Sequence, residues 1–217
     1  MGAKRYPTLH NLSKQNQRKM KATNVKVTCT DSDIKLNVLY SCPIDSLTIN
    51  LGGHEVNVTD TLKSGRTNYE LFQYIICWFF SLKGGVGVDL VDPSGNKYEI
   101  KSFLDHDVHP RNGKKEDLVH TAASKAFGPN NSGPIIKEMV RNNEYEKALS
   151  LCRELSYDKV DYFIYTNTRQ FNPSQPFKFM AIDKDDVMNM LDPKDPRCIS
   201  RRSLLASCTE TVPLSPS

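Results

Sequence analysis

The sequence predicts an α/β (α+β) domain, a mixed central β-sheet flanked by helices and preceded by an N-terminal antiparallel meander. Three observations predict it: strand-like alternation over residues 24 to 60, an apolar helix leading into a hairpin at residues 85 to 103, and a helix-period run followed by two β-rich segments. The composition is that of a soluble globular chain, with 38% apolar residues, 12 Pro and 11 Gly in 217 residues, which leaves no room for a fibrous or low-complexity class. The longest apolar run, LFQYIICWFF at residues 71 to 80, is too short to cross a bilayer, so a membrane protein is excluded. No charged-then-apolar leader opens the chain. Cys29, Cys42, Cys77, Cys152, Cys198 and Cys208 are scattered without a CxxC pair. An intracellular, cytoplasmic setting is expected, with neither a disulfide framework nor a zinc site.

The net charge is +4, from 29 Lys and Arg against 25 Asp and Glu, but it is unevenly placed. Residues 1 to 30 carry Lys4, Arg5, Lys14, Arg18, Lys19, Lys21 and Lys26 with no acid, a local +7; the rest holds 22 cations against 25 acids, or −3. A basic arm over residues 1 to 23, interspersed with Asn, Gln, Ser and Thr, suits phosphate contacts, because each cation can displace a condensed counterion. A solvated tail is the alternative.

Residues 24 to 61 hold four alternating runs, VKVTCT, IKLNVLYS, SLTINL and HEVNVT, separated by turn compositions, and predict a meander packed on a core of residues 62 to 212. Thr67-Asn68-Tyr69-Glu70 is a capping box opening a buried helix that runs to about Leu82, stopped by Gly84 and Gly85. In the hairpin that follows, Pro93 and Ser94 fit the two right-handed loop positions and Gly95 the left-handed one. Pairing across that loop sets Leu90 against Tyr98, Asp89 against Glu99 and Gly87 against Lys101, so Asp89, Glu99 and Lys101 share a face. Residues 104 to 133 form a long polar stretch of the kind that is functional or mobile. Ile136, Met139, Val140, Ala148, Leu149, Cys152 and Leu155 are helically spaced, with a break near Asn142 and Asn143. VDYFIYT (160 to 166) and PFKFMAI (176 to 182) are strands, the first continuous enough for a central position. KDDVMNMLD is a short helix, and residues 213 to 217 are expected to be a disordered tail.

Two carboxylates opposite each other in an antiparallel pair lie about 5 Å apart and repel, so something should compensate Asp89 and Glu99. A hard divalent cation does so economically, with Lys101 beside it; Mg²⁺ takes one or two carboxylates and offers its remaining positions to water and phosphate.

Asp89, nine intervening residues, then Glu99-Ile100-Lys101 on a hairpin resembles the Asp…(Asp/Glu)-x-Lys motif of the PD-(D/E)xK nuclease superfamily, and within it the small type II restriction endonucleases. The order of elements is similar over residues 62 to 185, giving a restriction-endonuclease-like core, although Val88 stands where that family has Pro. The resemblance implies Mg²⁺-dependent hydrolysis of double-stranded DNA by a homodimer. It makes Asp89 and Glu99 metal ligands, Ile100 a ligand through its carbonyl, and Lys101 the charge-stabilising cation. Asp92, followed by Pro93, is a rival first aspartate, but a turn position accounts for it. Glu70 could add a carboxylate from the preceding helix, though the capping box also explains it.

Other candidates carry less chemistry. His106, Asp107, His109 and Pro110 suggest a histidine-metal nuclease but lack the later Asn and His; with Arg111, Lys114 and Lys115 they fit a loop that contacts DNA. Arg169, Gln170 and Asn172 are residue types suited to base edges. For Cys77 and Cys152 the sequence indicates packing and does not decide whether there is a further role. A repair, junction-resolving or transposase-associated nuclease, and a non-catalytic DNA-binding protein, are the alternatives to a restriction enzyme.

Overall fold

The computed structural model describes residues 33–44, 47–51, 54–58, 69–105, 117–122, 132–169, 171–172 and 174–214. β1 (Val38–Cys42) alternates buried and half-buried residues. β2 (Thr48–Leu51) and β3 (His54–Asn57) form an antiparallel hairpin of their own. The apolar helix α1 (Tyr69–Phe79) leads to β4 (Lys83–Gly84), β5 (Leu90–Val91) and β6 (Lys97–Ser102). β7 (Leu118–His120) precedes α2 (Ser132–Arg141) and α3 (Tyr145–Leu155). These helices are separated where Asn143 takes the left-handed conformation at φ 60°, a position Asn tolerates and most residues do not. β8 (Tyr162–Thr166), β9 (Phe177–Asp183) and α4 (Lys184–Asn189) follow, the last capped by the Asp183 carboxylate on Asp185 N. Then come β10 (Leu191–Asp192), β11 (Asp195–Ser200), α5 (Arg201–Ala206) and β12 (Glu210–Pro213).

Seven strands make one mixed sheet in the order β12-β1-β9-β8-β6-β5-β4, with β6/β8 and β1/β12 parallel and the other pairs antiparallel. β10, β11 and β7 form a smaller antiparallel sheet. The run YFIYT of β8 has no charged residue because both its faces are covered. Ile164 enters a core with Leu71, Phe72, Ile75 and Ile76 of α1 and with Tyr98, Ile100 and Phe179. Phe163 and Tyr165 enter a second core with Ile136 of α2, Ala148 and Cys152 of α3, and Met180. Helices therefore cover both sheet faces. Because Tyr98 and Ile100 point into the first core, strand alternation turns Glu99 and Lys101 to the face of the second.

Several expectations need correction. β1 does not belong to a meander with β2 and β3: it lies between β9 and β12 in the large sheet, while residues 24 to 30 fall outside the described residues. Alternation reports that a strand has an inner face but not which strands flank it. α1 ends at Phe79, before Leu82, because Lys83 and Gly84 are drawn into a ladder with Val91 and Leu90. The polar stretch from 104 contains β7, which pairs with β11. The expected tail at 213 is still strand, with Leu214 N bonded to Ser41 O at 2.8 Å. Among the described residues no helix is long and apolar enough to cross a membrane.

The 92–96 turn sets how β5 meets β6. Gly95 sits at φ 91°, where an L side chain is strained. Gly95→Ala should lower stability by about 1 kcal/mol in urea unfolding, whereas Ser94→Ala should stay within about 0.5 kcal/mol. Equal effects of the two would overturn this account of the turn.

Candidate active site

The hairpin register is the one the loop chemistry dictates: Leu90 pairs with Tyr98 and Val91 with Lys97. Asp92 closes it. Its backbone N–H donates to Asn96 O and its carbonyl accepts from Gly95 N, both at 3.1 Å. Its carboxylate accepts from Asn96 N at 2.9 Å, Asn96 Nδ2 at 2.7 Å and the Tyr98 hydroxyl at 3.2 Å. Partial burial pushes the Asp92 carboxyl up, but the hydrogen bonds from Asn96, Tyr98 and Ser94 outweigh it and hold it below the ordinary carboxylate value. Asp92 is therefore a turn residue.

Asp89 departs from the expected ladder. Pairing stops at Leu90, and residues 86 to 89 bend, with Gly87 at φ 78°. Had the ladder continued, Ile100 N–H would have met the Val88 carbonyl, since hydrogen-bonded pairs recur every second residue. The Asp89 side chain takes that place: its Oδ2 accepts from Ile100 N at 2.7 Å. The Asp89 carbonyl is held in turn by Gln73 Nε2 of α1 at 2.7 Å and by Gly85 N at 3.3 Å. Asp89 is thus not cross-strand partner to Glu99. It reaches the edge of β6 at the intervening residue.

Glu99 and Lys101, two apart on β6, lie on one face and form an ion pair, with Lys101 Nζ donating to Glu99 Oε1 at 2.8 Å. Their side chains are 27% and 14% exposed, so the pair is partly shielded from solvent yet open on one side. The Ile100 side chain is buried on the opposite face. Its N–H and C=O point to one strand edge, as they do for every residue of an antiparallel pair, so the carbonyl turns to the side where Asp89 stands. The structure sets the Asp89 carboxylate on the amide of Ile100, the residue of β6 that stands in sequence between the paired Glu99 and Lys101.

Two carboxylates and a carbonyl are hard oxygen donors, the set that Mg²⁺ accepts while keeping several waters. Among the described residues no group of three or more His, Cys, Asp or Glu side chains that could hold a metal ion converges.

The remaining candidates sort by position. Glu70 lies in α1, three residues before Gln73; its side chain is outside the described residues, as are Thr67 and Asn68, His106, Asp107, His109, Pro110, Arg111, Lys114, Lys115, Gln170 and the basic arm. Asn172 serves its own loop, accepting from Ser174 N at 3.0 Å. Arg169 is half-buried in the turn after β8. Cys152 is buried in the second core, and burial pushes its thiol up to about 11. Cys77 packs at the rim of the first core. Sequence reasoning missed Gln73, although it is the one amide in the apolar stretch YELFQYIICWF. It also missed the buried Asn167, which donates to Asp105 Oδ2 and Pro176 O and accepts from Lys178 N, tying the exit of β8 to β9.

Comparison with family models, with curated proteins and with solved structures finds no match to this chain.

Because the folded-state carboxyl of Asp92 is depressed, its stabilisation is present above its ordinary value and is lost as pH falls through the lower folded value. The stability difference between wild type and Asp92→Asn should therefore be full near about pH 6 and shrink by about pH 3 in urea unfolding. A difference that stays constant with pH would contradict it.

Proposed function

We propose that this protein is a Mg²⁺-dependent endonuclease that hydrolyses phosphodiester bonds of double-stranded DNA, acting as a type II restriction endonuclease in the cytoplasm. The observation that carries the proposal is the Asp89 carboxylate seated on the amide of Ile100, between Glu99 and Lys101. The element order supports it: an apolar helix, a three-stranded antiparallel run ending in the Glu-x-Lys strand, helices on the opposite face, and a strand parallel to β6. The buried helix, the hairpin ending in the Glu-x-Lys strand, and the helix and two strands after it follow the order that underlies the likeness to the PD-(D/E)xK nucleases.

Asp89, Glu99 and the Ile100 carbonyl would hold the metal, which when bound supplies positive charge to the scissile phosphate and lowers the pKa of an attacking water. Lys101 lies close enough to Glu99 to serve the same phosphate, donating to a non-bridging oxygen as negative charge builds there. The Ile100 amide orients the Asp89 carboxylate, and Gln73 keeps the Asp89 backbone from drifting. Such fixed positioning contributes because a displacement of about 1 Å is costly to rate. Cutting both strands calls for two such sites, hence a homodimer.

Supercoiled plasmid incubated with the protein and Mg²⁺ tests the proposal. Wild type should cut, while Asp89→Ala and Lys101→Ala should cut at least about a hundredfold more slowly yet still bind labelled duplex. Full activity in either variant would refute the assignment. Discrete fragments from unmethylated plasmid point to restriction; selective nicking of branched DNA points to a repair, junction-resolving or transposase-associated enzyme; binding without cutting points to a DNA-binding protein alone.

The basic arm gives an independent prediction. Removing residues 1 to 20 takes away Lys4, Arg5, Lys14, Arg18 and Lys19. If these bind phosphates, the slope of log affinity against log salt should become shallower by about 0.9 for each phosphate the arm no longer neutralises. An unchanged slope would make the arm a solvated tail.

A further inference from the structure

Val86 is an anomaly beside the candidate active site. It is fully exposed at 103%, whereas the other exposed large aliphatic side chains among the described residues, Leu36, Leu118 and Ile135, are 38 to 44% exposed. A valine wholly in solvent gains nothing for the fold, and here it stands three residues before Asp89.

The loop that presents it has a fixed shape. A Cβ at Gly85 would lie 2.5 Å from Val88 Cγ2 and 2.8 Å from Val91 Cγ2, closer than real atoms approach, so a side chain there would force one or both valines to move. Gly87 has φ 78°, which favours glycine, although the space around it is open. Gly85 N closes the loop on Asp89 O, the same carbonyl that Gln73 holds, and β4 pairs with β5 at its foot. Val88 tucks in against the second core. Two glycines, one favoured by crowding and one by its φ, thus bracket one apolar side chain and turn it outward, while exposed Lys83 adds a cation at the foot of the loop.

We infer that Val86 is a substrate contact, seated against the sugar and base edge of a nucleotide flanking the scissile phosphate, where it influences the choice of cutting position. This rests on the nuclease proposal. Three residues span at most about 10 Å between Val86 and Asp89. DNA grooves are about 6 and 12 Å wide, so an outward side chain within that reach of a bound phosphate is of the right scale to meet a groove wall. Apolar side chains make productive contacts there, with the thymine methyl group or against the edge of a base step. Lys83 suits the neighbouring phosphates.

A duplex library with randomised flanks, cut in Mg²⁺ by wild type, Val86→Ser and Val86→Leu and sequenced at the fragment ends, tests the inference alongside thermal melting of each protein. Val86→Ser should melt as wild type does, cut about tenfold more slowly, and change the base frequencies beside the cut. Val86→Leu, which keeps an apolar tip, should recover to within about threefold of wild type. If Val86→Ser cuts at the wild-type rate with unchanged ends, the contact is refuted while the nuclease assignment stands. A lowered melting midpoint in Val86→Ser would also overturn it, since the side chain would then serve the fold. If wild type leaves the library uncut, both the contact and the nuclease assignment fall.

Discussion

One backbone amide, Ile100 N–H, organises the centre of this protein. It belongs to a strand whose outer neighbour stops pairing one residue pair too early, and a partly buried amide left without an acceptor would cost about 1 to 3 kcal/mol. The Asp89 carboxylate fills the vacancy at 2.7 Å. From that substitution follow the bend at residues 86 to 89, the outward loop bearing Val86, and the placing of an acid at the edge of β6 between Glu99 and Lys101.

The surrounding architecture holds this arrangement still. The two cores on opposite faces of the sheet fix which way each residue of β6 points: Tyr98 and Ile100 inward toward α1, Glu99 and Lys101 toward the other face. A slip of one residue would bury the charged pair and expose two apolar side chains, so burial defends the register together with the turn at Asp92. Gln73 couples the two levels. Its amide leaves the apolar side of α1 to bind the Asp89 carbonyl, so packing of α1 against the sheet is transmitted to the position of the carboxylate.

Local chemistry made much of this legible. The three-residue loop at Pro93 to Gly95 fixed the pairing of Leu90 with Tyr98, and the unbroken apolar run of β8 placed it centrally. The break at Asn143 followed from its own tolerance of positive φ. What local chemistry leaves open is partnership over distance. Nothing in VLYSC distinguishes a meander strand from one lodged between β9 and β12. Residues 191 to 213 form three short strands and a helix that no period announces, because segments of two to six residues are too short to display one. The departure of Asp89 from the ladder was hidden for another reason: Gly87 permits a continued strand and a bend equally, and the bend goes with contacts made by Ile100 N to the Asp89 carboxylate and by Gln73 and Gly85 to its carbonyl.

The juxtaposed acids also change meaning once their partners are known. From sequence, Asp89 facing Glu99 demands compensation, and a divalent cation is the economical source. In the fold each acid already has a partner of opposite polarity: the Ile100 amide for Asp89, the Lys101 ammonium for Glu99. The charges are therefore compatible with a stable fold before any metal arrives. A bound Mg²⁺ would contribute to chemistry rather than to folding, in contrast to structural metal sites whose proteins unfold without the ion. The same compensation sets a requirement on the reaction. In the proposed reaction Lys101 would serve a phosphate only by sharing or leaving its bond to Glu99, and a metal that took up Glu99 would make that exchange favourable. Under that proposal Glu99 and Lys101 would act as parts of one device, joined by the 2.8 Å ion pair between them.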